Sequence, residues 1–282
     1  INRKVVNLLD RDATTAFLKS VKPALVVDAA AKVGGIGANN AYPVEFLSDN
    51  VRIQSNLMEA AHAADVEKFI FLGSSCIYPR DCPQPIKEDY LLTGPLEETN
   101  SAYAIAKIAG LKLVEAYRRQ FGHHWISAMP TNLYGPNDNY DLNNSHVLPA
   151  MMRKFHEAKL NNHAPVTLWG SGTPMREFLF VDDMAAAVVF ALENKLPDYL
   201  YNIGTGEDLT IQQLAETIQK ITGHQGAIIW DSSKPDGTPR KLMDISKMHE
   251  LGWKHQVQLE EGIQLTYDWF VEHADAFKQV KM

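Results

Sequence analysis

The sequence predicts an open, doubly wound α/β fold with a parallel sheet, followed by a smaller α/β lobe. Two observations predict this arrangement. Short apolar runs alternate with segments of helical length over the first 135 residues. Beyond that point Asn, Pro and Asp become frequent and the pattern becomes less regular. Alternation at these lengths favours parallel strands joined by crossover helices, because two parallel neighbours cannot be connected by a tight turn.

The first unit, residues 1–135, is predicted to hold the parallel sheet. Each predicted strand is a short run rich in Val, Ile, Phe or Ala, and the second ends in small polar residues. The elements in chain order are a helix over 12–20, a buried parallel strand over 24–30, a helix over 44–64, a strand over 69–74, a Pro-rich loop, a helix over 101–121 and a strand over 125–130.

The second unit, residues 136–282, is predicted to be the smaller lobe, with segments within about 166–205 returning to the first unit. Thr210 is the expected N-cap of one of its helices, since a hydroxyl can accept a backbone N–H there. The predicted elements are helices over 147–161, 181–192, 211–222 and 259–277, and a strand over 166–169.

Composition narrows the function classes. The 282 residues carry 27 Lys plus Arg against 34 Asp plus Glu, and this net charge of -7 argues against nucleic acid as a partner. Cys76 and Cys82 are the only cysteines, which is too few for a disulfide framework of the secreted kind. Apolar runs are too short to span a bilayer, and no signal peptide is recognisable. We therefore expect a soluble, cytoplasmic protein without a membrane partner.

Tyr103 and Lys107 form the most informative local pattern. Four residues apart on a predicted helix, a phenol and an ammonium lie on the same face. An adjacent cation favours the phenolate, so Lys107 should lower the pKa of Tyr103 and make it a usable acid/base. The pattern alone is weak, because most such pairs are solvated helix surface.

A hydroxyl-rich strand end precedes this pair. Ser74, Ser75 and Cys76 end the predicted strand, and ligands bind at the carboxyl edge of such sheets. A turn capped by hydroxyls is the structural alternative. A serine upstream of a Tyr and Lys at this spacing resembles the Ser-Tyr-Lys triad of the short-chain dehydrogenase/reductase superfamily, and Tyr78-Pro79 resembles its extended sugar-nucleotide branch.

Longer blocks resemble the GDP-L-fucose synthase family within that branch. They are spread over essentially the whole chain, and several are longer than chance would supply. The matching segments are 29–36 (AAAKVGGI), 72–79 (LGSSCIYP), 101–110 (SAYAIAKIAG), 129–136 (MPTNLYGP), 144–150 (NSHVLPA), 169–178 (WGSGTPMREF) and 233–242 (SKPDGTPRKL).

The resemblance implies a Rossmann-like fold and an NADP(H)-dependent oxidoreductase with epimerase activity. The family converts GDP-4-keto-6-deoxy-D-mannose to GDP-L-fucose by epimerisation at C3 and C5 and reduction at C4. It assigns the proton transfers of epimerisation to residues that match Cys76 and His146. Tyr103 would protonate O4, Lys107 would lower its pKa and bind the nicotinamide ribose, and Ser74 would hold the carbonyl. A small buried thiol and a loop histidine are the structural alternatives for Cys76 and His146.

The resemblance also implies binding residues. Lys154 stands where some members carry Arg, and it could equally be a solvated helix residue. The implied cofactor-binding residues are Leu72, Gly73, Ser74, Ser75, Tyr103, Lys107, Pro130, Thr131, Asn132, Leu133 and His146. The implied substrate-binding residues are Asn132, Lys154, Trp169, Arg176, Asp236 and Lys241. Arg176 suits phosphate because a guanidinium can bind it through two donors. No metal site is expected.

The glycine-rich turn that binds a dinucleotide pyrophosphate is not found before residue 24. Gly35-Ile-Gly37 lacks the third glycine, and the family has this loop beside the active site. Alignment of the blocks with the family implies that about forty residues, with the first strand, its helix and the second strand, come before Ile1. Loss of a central strand would expose apolar faces and unpaired backbone of a parallel sheet. The native protein is expected to be longer than this chain.

Two rival functions remain from the sequence. One is a related NAD-dependent nucleotide-sugar 4-epimerase or 4,6-dehydratase, although dehydratases of this branch usually carry a Thr-Asp-Glu-like stretch where Ser-Ser-Cys stands here. The other is a non-catalytic nucleotide-sensing protein of the same fold, although such proteins commonly lose the tyrosine or the lysine. The family further implies a homodimer formed through the helices over 44–64 and 101–121.

Overall fold

The computed structural model describes residues 4–142, 145–234 and 236–273. Its helices are α1 (Arg11–Val21), α2 (Ile36–Ala41), α3 (Pro43–Ala63), α4 (Ser101–Phe121), α5 (Val147–Leu160), α6 (Val181–Glu193), α7 (Ile211–Thr222), α8 (Ser246–Glu250) and α9 (Leu259–Glu272). Its strands are β1 (Leu25–Asp28), β2 (Lys68–Leu72), β3 (Ile126–Pro130), β4 (Asn132–Tyr134), β5 (Val166–Trp169), β6 (Met175–Arg176), β7 (Phe178–Phe180), β8 (Leu200–Ile203), β9 (Leu209–Thr210), β10 (Ile228–Asp231) and β11 (Arg240–Lys241).

A parallel sheet in the order β1-β2-β3-β8 forms the centre of the larger unit. Helices cover both of its faces, as the pleat of β2 shows. Phe69 and Phe71 pack into a core with α1, α3 and α4, whereas Ile70 packs into a second core with α6 and α8. Successive side chains of a strand point to opposite faces, so this division identifies a doubly wound sheet. The predicted fold class is confirmed.

Helix α4 lies close against β2 because a glycine faces the sheet. A Cβ added at Gly110 would lie 2.5 Å from the Phe71 ring, so no larger residue fits without displacing it. The helix ends at Gly122, whose φ of 73° is left-handed and whose N–H reaches the Arg118 carbonyl. These two glycines fix how close α4 comes to the sheet and where it stops.

The smaller lobe packs α5, α7 and α9 around β5 and β10, which pair in parallel. Thr210 caps α7, as predicted, and exchanges hydrogen bonds with Gln213 in a capping box. Strand β8 lies beside β3 in the main sheet, whereas β5 does not join it. The domain boundary at residue 135 stays a prediction.

Several predicted elements differ from the structure. The buried strand predicted over 24–30 is shorter, and its Leu25 and Val27 side chains are exposed. The strand predicted over 69–74 ends at Leu72, after which Ser75–Ile77 forms a 3₁₀ turn. Helices α2 and α8 and strands β4, β6, β7, β8, β9, β10 and β11 were not predicted. Residues 274–277 of the last predicted helix lie outside the described residues.

No helix within the described ranges is long and apolar enough to span a bilayer.

Candidate active site

A serine and a cysteine meet where β2 ends. Ser74 stands at the N-terminus of the 3₁₀ turn Ser75–Ile77, and its hydroxyl lies 2.8 Å from the Cys76 sulfur. The backbone N–H of Cys76 also donates to the Ser74 hydroxyl at 3.4 Å. The turn therefore holds a thiol and a hydroxyl together at the carboxyl edge of the sheet, where ligands of such folds bind.

Lys107 approaches the same edge from α4. Its Nζ donates to the Leu72 carbonyl at 2.8 Å and lies 4.7 Å from the centre of the Phe71 ring. The side chain is 3% exposed. Burial lowers the pKa of Lys107, and the negative charges of Asp28 and Cys76 oppose that shift. An ammonium has three donors, so two remain for a polar ligand beside the strand end.

Tyr103 lies one helical turn before Lys107, as the spacing predicted. The centre of its ring is 5.8 Å from Lys107 Nζ. The ring itself packs edge-on against the Phe46 ring. The prediction that the pKa of Tyr103 lies below its ordinary value is wrong for this structure. Burial raises that pKa well above its ordinary value, and Cys76 adds to the rise. Desolvation disfavours the phenolate, so Tyr103 holds a neutral phenol.

The segment after β3 is tied to a neighbouring strand. Pro130 ends β3, and the side chains of Thr131 and Asn132 both donate to the Glu177 carbonyl, at 3.2 and 2.8 Å. Strand β4 then runs parallel to β7, and Leu133 packs on the core that contains α6. These bonds fix the path of this segment beside the β2 strand end.

Glu177 is a buried carboxylate that sequence reasoning missed. It is 0% exposed, and it accepts N–H bonds from Thr205 at 2.6 Å, Gly206 at 2.8 Å and Met243 at 2.9 Å. Burial raises its pKa, and these backbone donors oppose the rise. Three donors from two distant loops converge on one side chain, so Glu177 connects the lobe to the main sheet. Its place beside Arg176 in the WGSGTPMREF block was the available signal.

Two cations face each other across neighbouring strands. Lys241 of β11 is directly opposite Arg176 of β6 in the parallel register. Burial lowers the pKa of both side chains. Cys76 contributes the largest opposing charge on Lys241, which connects this pair electrostatically with the thiol. Two half-buried cations near one another suit a doubly charged anion such as a pyrophosphate.

An indole ring and an anchored loop lie at the edge of the smaller lobe. Trp169 is 64% exposed, with Lys234 Nζ 5.5 Å from its ring. Asp236 accepts from the backbone N–H and hydroxyl of Ser171, at 2.7 and 2.8 Å. Lys154 donates to the Thr167 carbonyl at 3.0 Å, so its ammonium is not simply solvated as the structural alternative had it.

His146 stands apart from the thiol in the contacts that the structure describes. It occupies the N-cap position of α5 and is exposed, and its charge acts on the half-buried carboxyl of Asp138. No hydrogen bond, ion pair or ring contact within the described ranges joins it to Cys76 or Tyr103. The other four candidate catalytic residues, Ser74, Cys76, Tyr103 and Lys107, come together. A shared pocket for all five stays a prediction.

Asp28 is the second group that sequence reasoning missed. It ends β1 at the same edge of the sheet, and its charge opposes the lowering of the Lys107 pKa. A carboxylate that ends an apolar strand was the signal for it. The described residues contain no group of three or more His, Cys, Asp or Glu side chains that could hold a metal ion.

Comparison with known proteins agrees with this geometry. The sequence model of the NAD dependent epimerase/dehydratase family matches residues 2–204. GDP-L-fucose synthase of Escherichia coli (strain K12) is 54% identical over 98% of this chain and 89% of that protein. The chain belongs to the GDP-L-fucose synthase branch of this family. A GDP-L-fucose synthetase of Naegleria fowleri bound to NADP superposes with a TM-score of 0.88 at 28% identity, over 98% of this chain and 85% of that one.

A reductase has a similar structure. The GDP-mannoheptose C4 reductase of Campylobacter jejuni, with NADP bound, has a TM-score of 0.89 at 35% identity, over 96% of this chain and 88% of that one. The family predicted from the sequence blocks is therefore confirmed.

Proposed function

We propose that this chain converts GDP-4-keto-6-deoxy-D-mannose to GDP-L-fucose by epimerisation at C3 and C5 followed by NADPH-dependent reduction at C4. The observation that carries the proposal is the convergence of Ser74, Cys76, Tyr103 and Lys107 at one sheet edge. Relatives more than 50% identical over nearly the whole chain carry the name GDP-L-fucose synthase.

Epimerisation needs a group that removes a proton from carbon and one that returns it. The 4-keto group acidifies C3 and C5, because the carbanion formed at either carbon is an enolate. Cys76 is the proposed base, and its sulfur lies 2.8 Å from the Ser74 hydroxyl, which can hold the keto oxygen next to it. His146 is the proposed acid. Its exposure fits a residue that exchanges protons with solvent or substrate.

Reduction needs a proton donor for O4. Burial keeps Tyr103 as a neutral phenol at physiological pH, which is the protonated form that a donor must have. When bound, NADPH supplies the hydride for C4. Lys107 would stabilise the phenolate that proton donation leaves behind, since its ammonium lies 5.8 Å from the Tyr103 ring.

The residues present fit a nicotinamide nucleotide. Lys107 reaches the strand end through its bond to the Leu72 carbonyl, and its ammonium has two further donors for ribose hydroxyls. Leu72 to Ser75, Pro130 to Leu133 and His146 would form the rest of this surface. We propose NADP(H) as the cofactor, as in the two NADP-bound structures.

The GDP moiety would bind at the second cluster. Arg176 and Lys241 would hold the pyrophosphate, because their register sets two cations side by side. Trp169 presents an exposed indole face to a guanine base. Asp236, Lys154 and Asn132 are the remaining proposed contacts.

We also propose a homodimer in the cytoplasm. Helices α3 and α4 pack against each other and leave Val44 and Ile105 exposed, at 71% and 48%. Two such pairs could bury these apolar side chains in a four-helix bundle. Light scattering coupled to size exclusion would give the mass of the particle, and a monomer at micromolar concentration would contradict the proposal.

The test of function is incubation with GDP-4-keto-6-deoxy-mannose and NADPH in heavy water, followed by NMR of the product. The expected product is GDP-L-fucose with deuterium at C3 and C5, and one NADPH is oxidised for each product molecule. Turnover without net oxidation of NADPH would instead favour the NAD-dependent 4-epimerase. Binding of NADPH without turnover would favour the nucleotide-sensing alternative.

A further inference from the structure

Asp28 is a buried carboxylate with an incomplete set of partners. It is the last residue of β1, lies directly opposite Phe71 of β2 in the register, and is 1% exposed. Its Oδ1 accepts the Ala30 N–H at 3.1 Å. Its Oδ2 is buried and has no hydrogen-bond partner within the described part of the chain. A buried carboxylate oxygen without a hydrogen-bond partner lowers the stability of the fold, so we expect Asp28 to have a function that offsets this cost.

The function that the structure supports involves Lys107, on which the charge of Asp28 acts. Asp28 is in register with Phe71, whose ring lies beneath Lys107 Nζ, and the next residue, Leu72, accepts the Lys107 hydrogen bond. Asp28 and the Lys107 ammonium therefore both lie beside Phe71 of β2. They make no direct ion pair among the described residues, so they interact through the low-dielectric interior.

We propose that Asp28 is a positioning residue whose carboxylate supplies the counter-charge that keeps the buried Lys107 side chain as an ammonium at the Leu72 carbonyl. The inference rests on the proposed function, because it takes Lys107 as the cation that stabilises the Tyr103 phenolate. A buried amine without an opposing charge gives up its proton readily. A neutral amine could not perform that role.

Charges around the carboxyl are few. Lys107 of α4 is the ionisable group whose charge acts on Asp28. The loop after β1 contributes only the backbone N–H of Ala30, and the residue of β2 opposite Asp28 is the uncharged Phe71. Cys76 is the other ionisable group that opposes the pKa shift of Lys107. Asp28 thus supplies the largest opposing charge for that lysine.

A purely structural role can be separated from this one. If Asp28 only accepted the Ala30 N–H, an amide oxygen would serve equally, because Asn has the same shape and an acceptor. Asp28→Asn therefore removes the charge and keeps the acceptor. Asp28→Ser is a second variant with the same expectation, in case the amide disturbs folding.

The first measurement is the pKa of Lys107. It is obtained from an NMR titration of protein with lysine labelled at Cε, in which the Lys107 signal is identified by its loss in Lys107→Met. In Asp28→Asn and Asp28→Ser the pKa should fall by about one unit or more. The control is Asp183→Asn, which removes a buried carboxylate that accepts the N–H groups of Gln256 and Val257. It should leave the Lys107 pKa unchanged. A Lys107 pKa equal to that of the wild type in both Asp28 variants would overturn the inference.

The second measurement is single-turnover reduction from pH 5 to 9. The rate ratio of wild type to Asp28→Asn should be near one at pH 5 and rise with pH, towards a limit of about ten for a Lys107 pKa difference of one unit. In a Lys107→Met background the substitution should have no further effect, since Asp28 acts through that lysine. Parallel profiles, or an equal loss in both backgrounds, would overturn the inference. Inactive wild type would contradict the proposed function alone, and the NMR titration would still decide this inference.

Discussion

Replacing Asp28 by Asn should stabilise the protein, and the gain should depend on pH. Burial raises the pKa of this carboxyl from 3.8 to about 6, and the attraction of Lys107 is already included in that value. The folded protein holds the proton more tightly than the unfolded chain. The cost of ionising Asp28 is absent below the unfolded pKa of 3.8, grows as the pH rises from there, and is complete above about pH 6. The shift of about two units corresponds to about 3 kcal/mol at pH 7.

Urea unfolding followed by tryptophan fluorescence would measure this cost. The gain for Asp28→Asn should be at most about 3 kcal/mol at pH 7, about half of that at pH 5 and little at pH 4. Asp183→Asn is the control, because its carboxylate accepts two backbone N–H groups and its loss should destabilise the fold. A stability difference for Asp28→Asn that is the same at pH 5 and pH 7 would refute the reasoning, since it would mean that the carboxyl titrates normally.

Four further outcomes follow from the contacts described above. Tyr103→Phe should slow single-turnover reduction by about a hundred-fold or more, with NADPH affinity unchanged by fluorescence titration. Cys76→Ser should suppress deuterium exchange at C3 and C5 more than it weakens NADPH binding; unchanged exchange would remove the thiol from the mechanism. Glu177→Ala should destabilise the protein by at least about 3 kcal/mol in urea, because three backbone N–H groups lose their acceptor, and Glu177→Gln should cost less. Lys220→Ala should change stability by less than about 0.5 kcal/mol in the same assay, since its ion pair with Glu260 is exposed.

The fold was predictable because its strongest signals are local. Helix α4 begins and ends where the sequence predicts, since Gly122 stops it in a left-handed conformation that glycine adopts without strain. Helix α7 was equally clear, because Thr210 and Gln213 form a capping box within four residues. The strands of two or three residues were not predictable. Arg176 and Lys241 are in strands only because distant segments pair, and no run of two residues carries a periodicity.

The candidate site divides in the same way. Ser74, Cys76, Tyr103 and Lys107 could be chosen from the sequence, because a turn and one helical spacing bring each pair together. The direction of the pKa shift at Tyr103 could not be predicted from the sequence, because it depends on how many apolar groups surround the ring. Burial is a property of the assembled core, and here it raises the pKa of Tyr103.

The sequence alone determined the doubly wound α/β class, the family, and the types of residue available for proton transfer, since each follows from local patterns or long matching blocks. The tertiary structure decided the electrostatics. It brought Asp28 of one strand end to Lys107 of a distant helix, and it set Arg176 beside Lys241. These contacts join segments far apart along the chain, and their energies depend on the exclusion of water, which only the packed molecule provides.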